Sequence, residues 1–174
     1  MLKYRIVYII GFMGSGKTTA GRKLAGKLGW AFIDLDKKIE EKAGKTISRI
    51  FSGDGEDFFR KIEAEVLKSM RHQKETVIST GGGTPCHGDN MDFMLETGVT
   101  IYLKRTPGQL KKRLVESSGG RPLISNVKEN QLLYFIEEKL EYREKWYNKA
   151  KICINSLKIN YTSLHSLVKK NLYR

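Results

Sequence analysis

The chain has 174 residues, 40% of them hydrophobic, with only three prolines and a formal net charge of +13. That length fits one domain, residues 1–174, able to bury a real core, and that composition excludes a disordered chain. No apolar run approaches the ~20 residues a membrane span needs, which excludes a membrane protein of the helical kind.

Tyr4 to Ile10 reads as a buried strand, because its β-branched run is nearly continuous. The run is too short for a signal peptide, and it leads into Gly11-Phe12-Met13-Gly14-Ser15-Gly16-Lys17-Thr18. That stretch fits G-x-x-x-x-G-K-[ST] at every fixed position, and a helix predicted from Lys17 to Leu28, ended by Gly29, follows it. Strand before and helix after are the context a phosphate loop requires. The glycines let successive N–H groups converge on phosphate oxygens, and the helix dipole adds its positive end there. Lys17 is placed for the β- and γ-phosphates, and the Thr18 hydroxyl for Mg²⁺. The competing reading, a glycine turn with an incidental lysine, has both flanks against it.

A second strand, Ala31-Phe32-Ile33, ends at Asp34-Leu35-Asp36, and a helix from Lys37 to Ala43 is predicted beyond it, closed by Gly44. A helical turn over Thr46–Phe51 leads to Gly53-Asp54-Gly55. A longer helix, Glu56–Arg71, sets Phe59, Ile62, Val66 and Met70 on one face. A third strand, Thr76–Ser79, precedes Gly81-Gly82-Gly83. The pattern then predicts a helix over 90–96, a fourth strand over 99–103, and a helix from Thr106-Pro107 towards Glu116. Residues 117–122 read as a loop, Val127 to about Asn148 as a long helix, 151–154 as a fifth strand and 162–172 as a last helix. Alternating strands and helices argue for a parallel sheet between helices, a three-layer α/β/α fold. Ligands in such sheets sit beyond the carboxyl ends of the strands, so the phosphate loop, Asp34 with Asp36, and the triple glycine meet at one rim.

If Asp34 and Asp36 are extended, both side chains leave on one face. One carboxylate can then hold Mg²⁺ through water while the other takes a substrate hydroxyl, or one of them caps the following helix. Arg60, three residues before Glu63, is either a surface ion pair or a fork for a substrate carboxylate. The three glycines are a plain loop or a close backbone approach to a ligand. Arg121 sits in a glycine-bearing loop, as a lid over phosphates or as an exposed surface residue, with Arg113 on the helix before it. Tyr142, Trp146 and Tyr147 read as helix packing. The two cysteines, Cys86 and Cys153, suggest neither a disulfide framework nor a metal cluster, and point to a reducing cytosol. The excess positive charge is scattered through helices with no nucleic-acid motif, so a solvated surface is favoured over a nucleic-acid partner.

Taken together, these residues resemble the shikimate kinase family of the nucleoside-monophosphate-kinase-like P-loop group. The resemblance runs from Ile9 to about Tyr147. It rests on Gly-Phe-Met-Gly-Ser-Gly-Lys-Thr-Thr, Phe-Ile-Asp-Leu-Asp, Gly55-Glu56, Phe59-Arg60, Glu63, Ser79-Thr80-Gly81-Gly82-Gly83, Arg121-Pro122-Leu123, and Arg143 with Tyr147. It implies a five-stranded parallel sheet in the order 2-3-1-4-5, the P-loop kinase fold, with a substrate-binding segment near 34–63 and a lid near 114–126. It also implies ATP-dependent phosphorylation of the shikimate 3-hydroxyl by a cytoplasmic monomer.

Carried over by residue, Lys17, Asp36 and Arg121 are the catalytic set, with Asp36 the candidate base. Gly14, Ser15, Gly16, Lys17, Thr18, Thr19, Arg113 and Arg121 bind ATP, Arg113 lying against adenine. Asp36, Arg60, Gly82 and Arg143 bind shikimate, and Thr18 and Asp34 hold Mg²⁺. The family's Arg-x-Pro-x-Tyr is here Arg143-Glu144-Lys145-Trp146-Tyr147, and without the proline the helix is expected to run further. Rival readings are another small-molecule kinase of the group, for gluconate or a nucleoside monophosphate, and a P-loop GTPase switch. Against the switch, no Asn-Lys-x-Asp guanine signature is present.

Overall fold

The structure, a computed structural model, describes residues 4–117 and 127–173. In chain order it contains β1 (Ile6–Ile10), α1 (Lys17–Leu28), β2 (Ala31–Asp34), α2 (Leu35–Ala43), α3 (Ile47–Gly53) and α4 (Gly55–Ser69). There follow β3 (Thr76–Ser79), α5 (Asn90–Thr97), β4 (Val99–Lys104), α6 (Pro107–Glu116), α7 (Glu129–Tyr147), β5 (Ile152–Asn155) and α8 (Tyr161–Leu172). The five strands form one sheet in the order β2-β3-β1-β4-β5, every pair parallel. The expected architecture and strand order are both observed.

A parallel sheet needs both faces covered, and the alternation along β1 shows how this one is. Ile6, Tyr8 and Ile10 point into a core shared with α2 through α7, where Leu35, Ile39, Leu67, Met94, Leu110 and Ile136 are buried. Val7 and Ile9 point the other way, into a core closed by Leu24 of α1 and Leu164, Val168 and Leu172 of α8. Thr106 starts α6 as expected, with its hydroxyl accepting from Gln109 N and the Gln109 side chain accepting from Thr106 N. Among the described residues no helix is long and apolar enough to cross a membrane.

Most element boundaries move by one or two residues from the sequence reading, and three of the shifts have a visible cause. β1 begins at Ile6, not Tyr4, because the Tyr4 N–H donates to the Leu172 carbonyl of α8 instead of a strand. β5 is shifted by one residue, Lys151 spending its N–H on the Thr100 hydroxyl. The third difference bears on the site. α2 starts at Leu35, because the Asp34 carboxylate accepts from Asp36 N at 3.2 Å and so caps the helix. Leu35 and Ile39, one turn apart, are then fully buried beneath it.

Candidate active site

The phosphate loop joins β1 to α1. Gly14 and Gly16 have φ of 80° and 96°, a left-handed backbone that a side chain resists, so the turn is available at little cost to glycine alone. Gly16 caps α1 with no side-chain oxygen on the first N–H groups of the helix, which leaves these donors for a ligand. Lys17 Nζ donates to the Phe12 carbonyl at 3.0 Å, curling the lysine over its own loop. Ser15 is 1% exposed, so it faces the protein, and it contributes backbone to the loop.

Beyond the loop opens a cleft of about 370 Å³, into which Gly14, Lys17, Thr18, Thr19, Asp34, Asp36, Arg60, Gly82, Arg113 and Arg143 all face. Residues from six segments of the chain thus meet in one space. Met13, Ile47, Phe51 and Phe59 form its apolar wall. Among the described residues no group of three or more His, Cys, Asp or Glu could hold a metal ion. What stands at the mouth of the loop is a pair of oxygen donors, the Thr18 hydroxyl donating to Asp34 Oδ2 at 3.1 Å.

Asp34 and Asp36 do not leave an extended strand on one face, as the spacing suggested. Asp34 is the last residue of β2 and caps α2, while Asp36 lies in the first helical turn. Both still reach the cleft. Burial raises the Asp36 pKa to about 6; the nearby Lys17 opposes the rise, and Asp34, Glu63 and Glu40 add to it.

Arg60 is no surface pair. Its side chain is 12% exposed, and its Nη1 donates at 2.8 Å to Glu63, which is fully buried. Glu56 accepts from its Nε at 3.1 Å and its Nη2 at 2.9 Å. The second oxygen of Glu63 accepts from the Thr84 hydroxyl at 2.6 Å, and Asn90 donates to the Thr84 carbonyl at 2.9 Å. The guanidinium is thereby fixed at the cleft wall by a buried network.

The triple glycine lies close against side chains of the cleft, each member facing a different one. A Cβ on Gly81 would stand 3.0 Å from Asp36 Oδ1, one on Gly82 3.4 Å from Arg143 Nη1, and one on Gly83 2.8 Å from both Arg60 Nη atoms. Arg143, from the last turns of α7, is 8% exposed and lies 5.2 Å above the Phe12 ring. Its Nη1 is buried with no hydrogen-bond partner among the described residues. One turn on, the fully buried Tyr147 donates its hydroxyl to the Gly82 carbonyl, and burial pushes its phenol above the ordinary tyrosine range. Missing the proline, α7 runs unbroken through Arg143 to Tyr147.

Arg113 is on α6, its Nη1 3.6 Å from where a Gly16 Cβ would sit. Arg121, with residues 118–126 of the expected lid, lies outside the described residues. Of the rest of that segment, 114–116 complete α6 and Ser117 borders the cleft. The sequence reading missed the Thr84–Asn90 relay, the apolar wall and the Tyr147–Gly82 bond. Phe51 and Phe59 had a signal, an aromatic pair on neighbouring helices, and their rings do meet at 4.7 Å.

Residues 13–170 match the family model described as shikimate kinase. The shikimate kinase of Parabacteroides distasonis is 43% identical over 153 residues, 88% of either chain. The crystal structure of shikimate kinase from Bacteroides thetaiotaomicron has a TM-score of 0.87 at 37% identity, covering 97% of this chain and 98% of that one. Shikimate kinase from Acinetobacter baumannii, solved in complex with shikimate, has a TM-score of 0.83 at 32% identity, covering 97% and 92%. The chain belongs to the shikimate kinase family.

Proposed function

We propose that the chain, a shikimate kinase of aromatic amino-acid biosynthesis, transfers the γ-phosphoryl group of ATP to the shikimate 3-hydroxyl across the cleft between the phosphate loop and the triple glycine. The observation that carries this is the convergence of the loop, the half-buried Asp36 carboxylate, the half-buried Arg60 and the buried Arg143 on one space. Phosphoryl transfer asks little covalent chemistry of a protein and much positioning and charge neutralisation. The loop N–H groups and Lys17 take the phosphates, with Gly14, Ser15, Gly16, Thr18 and Thr19 forming the cradle and Arg113 lying against adenine. Arg60 and Arg143 take the shikimate carboxylate, the unpartnered Nη1 of Arg143 being a donor in want of an acceptor. The Gly82 backbone lies against the ring.

Asp36 receives the 3-hydroxyl and, with a pKa near 6, is ionised at neutral pH yet basic enough to take its proton. Arg121, in the 114–126 segment, is assigned to the charge on the transferring phosphoryl group, and the 34–63 segment carries the acceptor. The Thr18 hydroxyl and the Asp34 carboxylate, hydrogen-bonded to each other, are oxygen donors of the kind Mg²⁺ prefers, and they would hold it, Asp34 through water. A Mg²⁺ ion held there would supply positive charge against that of the phosphates. The protein acts as a cytoplasmic monomer, without a nucleic-acid partner. A coupled ADP-release assay with Mg-ATP, offering shikimate, gluconate, AMP or no acceptor, tests the reading. Turnover with shikimate alone is expected, and turnover with another acceptor in its place would overturn it.

A further inference from the structure

Arg105 follows β4 directly, is 8% exposed, and plays no part in the division of labour above. Its Nε donates to the Ser15 carbonyl at 3.2 Å, and its Nη2 to the Ser156 carbonyl at 3.3 Å. Ser15 belongs to the phosphate loop. Ser156 follows β5 and donates its own N–H to the Lys104 carbonyl at 3.1 Å, so the turn beyond β5 is laced to the end of β4. One guanidinium therefore fastens the phosphate loop to that turn. Both of its acceptors are neutral. The influences on its charge are burial and then the positive Arg113, each disfavouring the charged form, with no carboxylate among the described residues opposing them. The hydroxyls of Ser15 and Ser156 are also buried without a partner among the described residues. The region beneath the loop is thus rich in donors and poor in anions.

The sheet order says which ligand passes there. Asp36 and the triple glycine lie beyond β2 and β3, on one side of β1, so the acceptor occupies that side. The remainder of a nucleotide whose phosphates sit in the loop must leave on the other, over the carboxyl ends of β4 and β5. We propose that Arg105 is a positioning residue for the nucleotide. It holds the phosphate loop and the turn after β5 as one body, and the phosphates of ATP supply the negative charge its surroundings lack. This rests on reading the cleft as the ATP site.

The test is steady-state kinetics on the full chain with Arg105→Gln and Arg105→Lys, varying Mg-ATP and shikimate separately. The rise in melting temperature caused by ADP is measured on the same proteins without acceptor. Glutamine keeps a donor and loses the charge; lysine keeps the charge but not the fork that spans two carbonyls. Both are expected to raise KM for ATP, glutamine by about tenfold, the equivalent of one charge-assisted hydrogen bond. KM for shikimate and kcat should stay within about twofold, and the ADP-induced rise should shrink in both, more for glutamine. An unchanged KM for ATP in both variants, or KM values for the two substrates rising in step, would overturn the proposal. Should the unaltered chain fail to phosphorylate shikimate, the functional reading falls instead, while the ADP melting shift still judges Arg105.

Discussion

The proposed phosphate end and the proposed acceptor end of the cleft are built by different means. At the phosphate end, consecutive residues between β1 and α1 offer mainly backbone, with Gly16 capping the helix and Lys17 folded onto the Phe12 carbonyl. At the acceptor end, side chains from α2, α4 and α7 are brought to a three-glycine loop that leaves room for them. The first arrangement depends on chain conformation, the second on volumes and on buried charge pairs. Removing a group that meets the transferring phosphoryl or its acceptor hydroxyl, Lys17 or Asp36, should therefore cost transfer, and removing Arg60 or Arg143 should cost acceptor affinity.

The largest effect is expected from Lys17→Ala, which removes charge from the phosphoryl group and should lower kcat about 10³-fold with the fold intact by circular dichroism. A near-normal kcat would break the comparison at its first term. Asp36→Asn should lower kcat about 10²- to 10⁴-fold. The unaltered enzyme carries a matching pH signature. With its pKa raised to about 6, Asp36 is protonated, and unable to accept a proton, below that pH. Hence kcat/KM for shikimate should fall by about tenfold per pH unit on the acid side and stay level above. A level profile down to pH 5 would exclude Asp36 as the base.

At the acceptor end, Arg143→Ala should raise KM for shikimate about 10- to 100-fold, with KM for ATP unmoved. Arg60→Ala should do the same and in addition destabilise the fold, because Glu63 is left buried without its cation. Equal rises for both substrates would show that the two ends are not separable. Gly83→Ala sharpens the test, since its methyl would press on the Arg60 guanidinium from 2.8 Å; about a tenfold rise in KM for shikimate is expected. The smallest effect belongs to Tyr147→Phe, which frees the Gly82 carbonyl. It should cost about 1 kcal/mol in stability and raise KM for shikimate a few-fold, and unchanged values of both would reduce Tyr147 to packing.

The same contrast decided what could be read from the sequence. The phosphate loop is contiguous, so its glycines, its lysine and both flanks lie in plain view; the alternation of strands and helices argues for a parallel sheet, and the strand order comes from the family resemblance. The acceptor end was legible residue by residue but not in its arrangement. Spacing left Arg60 open between a surface pair and a fork, because an i,i+3 pair looks alike whether or not its glutamate is buried. Spacing leaves Asp34 and Asp36 open between one extended face and a helix cap, because the burial of Leu35, which draws the helix back to it, is a tertiary fact. Tyr147 was read as packing, and its hydroxyl partner is a backbone carbonyl 65 residues away. No local pattern records such a contact.

The position of β1 has a consequence for biosynthesis. It is made first, yet it lies in the middle of the sheet, with Ile6 beside Thr76 on one neighbour and Val7 beside Val99 on the other. A nascent chain carrying the phosphate loop thus has no sheet to shape it until both later strands have left the ribosome, and parallel pairing over such separations is slow. Chains arrested before β4 should gain no protection from proteolysis on adding ATP, and chains arrested after β5 should. The loop proposed to bind nucleotide is made before the strands that shape it and is among the last segments able to work.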